Sequence, residues 1–240
     1  MARIHPTAVV SPRAEIADDV VIGPYVVIEA GVRIGARNVI HPFAVIGGDP
    51  QIRKIVAKDA EQDGRQRRGD LVIGEGNVIR EHVTINVSAG QRSTTIGSNN
   101  LLMAGCHVAH DVVIGSNCVI ANGVQLAGHV TVDDWVTFGG IAAVAQFVRI
   151  GQSAFVAGGA MCERDVPPFV IVQGDRARVR ALNVVGLERR GVPASSIAAL
   201  KKAFASLYGR RDASFDEAIA GLDRSDPFVA QLATALAAPA

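Results

Sequence analysis

A six-residue period governs most of this chain. From Ile4 an aliphatic residue returns at Val10, Ile16, Ile22, Ile28, Ile34, Ile40 and Ile46. The phase resumes at Ile73, Ile79 and Ile85, then again at Ile96, from which it runs through Phe138 to Val156. Helices repeat every ~3.6 residues and strands every ~2, so neither explains the pattern. Hexapeptide repeats are the mark of a parallel β-helix, a solenoid of short flat strands. Three hexads close one triangular coil, residues three hexads apart stack at about 4.8 Å per layer, and one aliphatic side chain per strand fills the lumen. About seven coils are expected. Glycine follows many lumen positions, among them Gly23, Gly35, Gly47, Gly74 and Gly97, and the expected reason is a corner turned at positive φ.

The period divides the chain. It is lost across 49–70, a polar stretch containing Arg65, Arg67 and Arg68, and across 86–95. Insertions in a solenoid loop out on one face, often the binding face, though a plain surface loop fits each stretch equally well. The expected solenoid spans 1–168 and a small helical domain spans 169–240. There Pro193 opens a helix running to about Tyr208, with Ile197, Leu200, Phe204 and Leu207 on one face and Gly209 as a stop. Ser214 and Glu217 have capping-box spacing, and a last helix covers Pro227 to about Ala237. This module would cap the open edge of the coil.

Composition excludes several classes of function. A net charge of +1 argues against nucleic acid as the main partner. No stretch is long and apolar enough for stable membrane insertion, and no signal core follows Met1. Three cysteines without a CxxC pair fit neither a disulfide framework nor a zinc knuckle, and point to a reducing, cytoplasmic setting.

The densest polar cluster is Cys106-His107-Val108-Ala109-His110-Asp111. Val108 holds the lumen position, so His107 and His110 flank it and face outward. Stacking places His110, Gly128, Gln146 and Arg164 in one column, with His129 beside Gly128. Imidazole suits proton transfer near neutral pH, Asp111 could orient it, and Gly128 offers an unobstructed backbone N–H for an oxyanion. The alternative is a set of surface histidines in turns, which three converging histidines make the weaker reading. The spacing His107-x2-His110 differs from the three-histidine zinc pattern of some β-helices, so no metal and no cofactor are expected.

The run from Asn100 to Asp111 resembles the active-site segment of the acyl-carrier-protein–UDP-N-acetylglucosamine O-acyltransferases. So do Leu126-Ala127-Gly128-His129-Val130, Gly139-Gly140, Gln146-Phe147, Asp165-Val166-Pro167-Pro168 and Gly186-Leu187-Glu188-Arg189-Arg190-Gly191. The resemblance implies a left-handed coil and a homotrimer with sites between subunits. It implies an acyltransferase that moves a 3-hydroxyacyl chain from acyl carrier protein to the 3-hydroxyl of UDP-N-acetylglucosamine, the first step of lipid A synthesis. His110 would be the general base, Asp111 its support and Gly128 the oxyanion donor. His107, Gln146, Asn183 and Arg189 would hold the UDP-sugar, with Arg190 nearby, and Lys54 would reach a neighbouring subunit's nucleotide sugar. His129 and Gly140 would line the substrate path, and Gly158 would set acyl-chain length. Arg176, Arg178 and Arg180 could steer the acidic carrier protein or simply form a solvated basic face.

Three departures lie in the sugar-reading shell. Ala145, Val185 and Ile52 stand where that family has a histidine and two acidic residues. They admit a paralogue that acylates a different UDP-amino sugar, at oxygen or nitrogen. A coenzyme A-dependent hexapeptide acetyltransferase and a catalytically silent binding solenoid are the remaining readings. Retention of His107, His110, Asp111 and Gly128 together counts against the silent form.

Overall fold

A computed structural model describes residues 1–53, 69–90, 92–209 and 214–237. Most of its strands are two residues long, with one half-exposed and one buried side chain, as the hexad demands. They form three sheets of ten, eight and seven strands, one for each side of a β-helix, and all pairings are parallel except the last of the ten-stranded sheet. Register holds across the interruptions: Ile40 pairs with Ile79, and Ile79 with Leu102. The buried aliphatics make one continuous lumen core from Val20 to Val172.

Both insertions leave at the same corner. The first follows strand Val45–Gly48 of the eight-stranded sheet and returns at Leu71–Ile73 of the seven-stranded sheet. The second runs between Thr84–Asn86 and Thr94–Ile96, which belong to the same two sheets. One coil further, His110 and Asp111 occupy that corner, between His107–Val108 and Val113–Ile114.

The glycines act differently from expectation. Of those that follow lumen residues only Gly47 has positive φ, at +89°. The left-handed conformation falls instead on corner residues with side chains, including Tyr25, Phe43, His82, Asp111, His129 and Phe147, at φ between 58° and 67°. Such residues carry roughly 1–2 kcal/mol of steric cost each, which stacked rings and corner hydrogen bonds help to offset. What the glycines supply is close approach: a Cβ at Gly35 or Gly74 would sit 2.7 Å from the carbonyl oxygen of the next coil.

Buried asparagines tie one corner together. Asn38 Oδ1 accepts from the Asn77 N–H, Asn77 Oδ1 from the Asn100 N–H, and Asn100 Oδ1 from the Cys118 N–H, at 2.8, 2.8 and 2.7 Å. Asn100 Nδ2 also donates to Gly115 O at 3.0 Å. Asn100→Ala strands two buried backbone groups, so it should destabilise the fold by about 2–4 kcal/mol. The urea midpoint would fall, and an unchanged midpoint would contradict this account of the ladder.

Past residue 168 the ten-stranded sheet continues. Val170–Gln173 pairs in parallel with Phe155–Val156, and Arg178–Leu182 folds back antiparallel as the edge strand. The β-branched run Val170-Ile171-Val172 suits a strand. Four helices follow: α1 (Val184–Arg189), α2 (Ala194–Tyr208), α3 (Phe215–Ala220) and α4 (Pro227–Ala237). The helix α1 has too few turns for a periodic signal and was not expected. The capping box of Ser214 and Glu217 forms at the start of α3. Gly209 ends α2 in an extended rather than left-handed conformation, at φ −78° and ψ −172°. A side chain there would collide with Ala205 O, which explains the glycine. The helices share a second core, with Leu187, Leu200, Leu207 and Leu232 around Phe169. No helix among the described residues is long and apolar enough to cross a membrane.

Candidate active site

The corner that carries the insertions gathers four of the predicted residues: His110, Asp111, Gly128 and His129. His110 and Asp111 are 8% and 9% exposed. His110 Nδ1 lies 2.7 Å from Asp111 Oδ2. An ionised carboxylate only accepts, so Nδ1 carries the proton and Nε2 is left with a free lone pair. Asp111 is itself held: the Ala89 N–H donates to both its oxygens, at 3.3 and 3.2 Å, and its own N–H donates to Thr94 Oγ1 at 2.9 Å. Ala89 lies in the second insertion and Thr94 opens the strand that follows it, so this segment fixes the carboxylate and backbone of the residue that fixes the imidazole.

Gly128 stacks against the His110 ring. A Cβ there would lie 2.6 Å from His110 Cε1 and 2.8 Å from Nε2. Its N–H has no acceptor among the described residues, as at the stacked corner residues His110 and Gln146. Free amides are thus common along this corner, and what distinguishes Gly128 is the imidazole beside it. His129 Nε2 is 3.7 Å from Asp111 Oδ2, and its ring meets that of His110 edge-on, with centroids 5.1 Å apart. Phe147 stacks flat on His129 at 4.7 Å. Sequence reading did not single out Phe147, although the same stacking arithmetic puts it one coil from His129.

The other predicted residues are spread more widely. His107 is half-buried one strand away, with Nδ1 2.8 Å from Thr84 Oγ1, and burial pushes its pKa below the usual histidine range. Neutral imidazole is therefore its form at pH 7. Gln146 and Gly158 are exposed, and Gly140 is half-exposed. A Cβ at Gly158 would meet only Gly140, 3.4 Å away at its carbonyl oxygen, whereas one at Gly139 would collide with the Gly158 backbone.

Asn183 and Arg190 are engaged in the fold. Asn183 caps α1, with Oδ1 accepting from the Gly186 N–H at 3.1 Å and Nδ2 donating to Ser153 O at 2.8 Å. Arg190 donates to Ser153 Oγ at 2.7 Å, and its guanidinium lies 5.6 Å from the Trp135 ring centroid and 5.9 Å from that of Phe228. It joins α1 and α4 to a solenoid corner, and burial pushes its pKa down. Arg189 is exposed, as are Arg164, Ala145 and Val185, while Ile52 is half-exposed. Lys54, with Arg65, Arg67 and Arg68, lies outside the described residues.

Two further features bear on the chemistry. Asn86 is 5% exposed, and its buried Oδ1 has no hydrogen-bond partner among the described residues. It sits where the second insertion begins, a place marked in the sequence only by the break in period. The thiols of Cys106, Cys118 and Cys162 are buried, and desolvation pushes them up to about 11, 12 and 11. Thiols held that high carry almost no thiolate at neutral pH and are poor nucleophiles.

A hexapeptide solenoid with a buried His–Asp pair at one corner defines a hexapeptide-repeat transferase. The model of the six-repeat bacterial transferase hexapeptide family matches residues 13–48 and 93–128, and that of the second domain of UDP N-acetylglucosamine O-acyltransferase matches 165–239. Among curated relatives, the acyl-[acyl-carrier-protein]–UDP-N-acetylglucosamine O-acyltransferase of Myxococcus xanthus is 43% identical over 228 residues, covering 87% of this chain and 85% of its own. That of Xanthomonas euvesicatoria is 45% identical over 226 residues, covering 85% and 82%. The solved structure of LpxA from Acinetobacter baumannii superposes with a TM-score of 0.83 at 31% identity, over 97% of this chain and 96% of that one. The chain belongs to the acyl-[acyl-carrier-protein]–UDP-N-acetylglucosamine O-acyltransferase family. Its parallel sheets and repeats fit that family's left-handed β-helix with a small helical part.

Proposed function

We propose that this protein transfers a 3-hydroxyacyl chain from acyl carrier protein to the 3-hydroxyl of UDP-N-acetylglucosamine, the opening step of lipid A synthesis. The observation that carries the reading is the buried His110–Asp111 pair at 2.7 Å with Gly128 against the imidazole. His110 Nε2 takes the proton of the sugar hydroxyl as its oxygen attacks the thioester carbonyl. The Gly128 N–H stabilises the tetrahedral oxyanion. Collapse expels the carrier protein's thiolate, which recovers the proton from Nε2. Asp111 holds the productive tautomer throughout. The transfer is direct, in keeping with three thiols that desolvation makes unreactive.

His107, Gln146 and Arg189 are assigned to the UDP-sugar side of the site, His129 to the substrate path beside the acyl chain, and Lys54 to the UDP-sugar of a neighbouring subunit. Asn183 and Arg190 would act on the sugar side chiefly by placing α1. Gly140 and Gly158 are assigned to the acyl groove. Gly158→Met should fold normally and cut kcat/KM for long acyl donors by about tenfold or more, leaving short donors less affected. A chain-length series of acyl carrier proteins would read this out, and an unchanged preference would remove Gly158 from the groove.

We infer a cytoplasmic homotrimer of about seven-coil protomers, divided near residue 168. Ile141 and Phe147, 72% and 70% exposed, are apolar surface that such packing would cover. Light scattering should give three times the chain mass of 25.1 kDa, and a monomer would sink this part of the reading.

The deciding assay is incubation with 3-hydroxyacyl carrier protein and UDP-N-acetylglucosamine, followed by mass spectrometry. An acylated sugar is expected. No product from folded protein that still binds a UDP-sugar would point to an altered acceptor. Exposed Ala145 and Val185, which offer no polar contact, favour that second reading.

A further inference from the structure

We propose that His110, Asp111 and His129 form a reversible site for a divalent transition metal ion, zinc above all, and that the bound ion switches the site off. Their ligand atoms all lie within 4.8 Å of one another. Asp111 Oδ2 is 2.7 Å from His110 Nδ1 and 3.7 Å from His129 Nε2. Tetrahedral zinc, with bonds of about 2.0–2.2 Å, spaces its ligand atoms about 3.3 Å apart. These two separations bracket that value, and the two histidine nitrogens lie within 4.8 Å of each other, so side-chain rotation rather than backbone movement would close the set. Two imidazoles and one carboxylate suit zinc, and the fourth position stays open for water or a substrate oxygen.

The surroundings favour the same geometry. The Ala89 N–H holds both Asp111 oxygens, and Phe147 fixes the His129 ring by stacking on it. Outer contacts of this kind raise affinity by orienting ligands before the metal arrives. The three-histidine zinc spacing is absent from the sequence, and this set is a different one. A carboxylate replaces one imidazole, and the second histidine comes from the next coil.

The switching half rests on the reading of His110 as the base. When the ion binds His110 Nδ1, the neutral ring carries its proton on Nε2 instead, and the hydrogen bond to Asp111 is replaced by two bonds to the metal. The metal then holds the imidazole in the opposite tautomer, and Nε2, already carrying the proton beside a dication, has no lone pair to offer. The sugar hydroxyl keeps its proton.

The test uses the full chain, stripped with chelator, and zinc and cobalt(II) chlorides as probes. Calorimetry should show one zinc per chain, and bound cobalt should give the strong visible absorption of a tetrahedral site. His129→Ala and Asp111→Asn should each weaken zinc binding by at least about tenfold, while His107→Ala should not. Asp111→Asn also keeps a residue type that tolerates the positive φ. Zinc affinity equal in wild type and both variants, or a weak octahedral cobalt spectrum, overturns the site. Zinc should abolish acyl transfer and chelator should restore it. Binding without loss of turnover overturns the switch while the site stands. Metal-free protein that binds cobalt as described yet transfers no acyl group counts against the proposed function instead.

Discussion

His110→Ala should lower the rate of acyl transfer by two to four orders of magnitude while leaving the protein folded. The estimate is the usual contribution of a positioned general base, about 10²- to 10⁴-fold. The side chain is buried but lies outside the lumen, at a corner whose backbone is fixed by neighbouring coils. The His129 N–H donates to His110 O at 3.1 Å, a bond that survives truncation. Circular dichroism and the melting temperature should therefore change little. Single-turnover kinetics with 3-hydroxyacyl carrier protein separate the chemical step from product release. A drop in kcat with little change in KM is expected, because the lost interaction operates on the proton in flight. Loss of less than tenfold would mean that another group takes the proton.

Gly128→Ala should reduce turnover by about 10²- to 10³-fold for a different reason. Its φ is not in the left-handed region, so the backbone accepts alanine. The added methyl would lie 2.6 Å from His110 Cε1 and 2.8 Å from Nε2, closer than real contacts allow. The ring must tilt, which lengthens its bond to Asp111 and moves Nε2 away from the hydroxyl. The methyl also crowds the oxyanion position. A crystal structure of the variant should show the displaced imidazole, and full activity would mean that neither the ring position nor the amide matters.

Much of the site follows from the period alone. Once Val108 is assigned to the lumen, His110 must face out and Gly128 must stack on it, because a parallel coil leaves no freedom in register. That both insertions share the corner of His110, in the two coils before it, also follows from where the phase breaks, after Ile46 and Ile85. What escaped are contacts that depend on side-chain rotamers. Nothing in the spacing of Asn183 shows that its amide is occupied in capping α1, or that Arg190 reaches Ser153 between Trp135 and Phe228. The glycines misled for a simpler reason. Glycine serves both positive φ and close approach, and only the stacked carbonyl of the next coil reveals which one Gly35 and Gly74 provide.

The shared corner of the two insertions separates inheritance from adaptation in this molecule. Each segment leaves and rejoins the column while Leu71–Ile73 still stacks on Val32–Ile34 and Thr94–Ile96 on Leu71–Ile73. Lengthening such a loop costs only about 0.6 kcal/mol per doubling, and the column beneath is undisturbed. The corner is thus a socket into which segments of different length and polarity can be exchanged. The coil that aims His110 stays as it is whatever those segments carry.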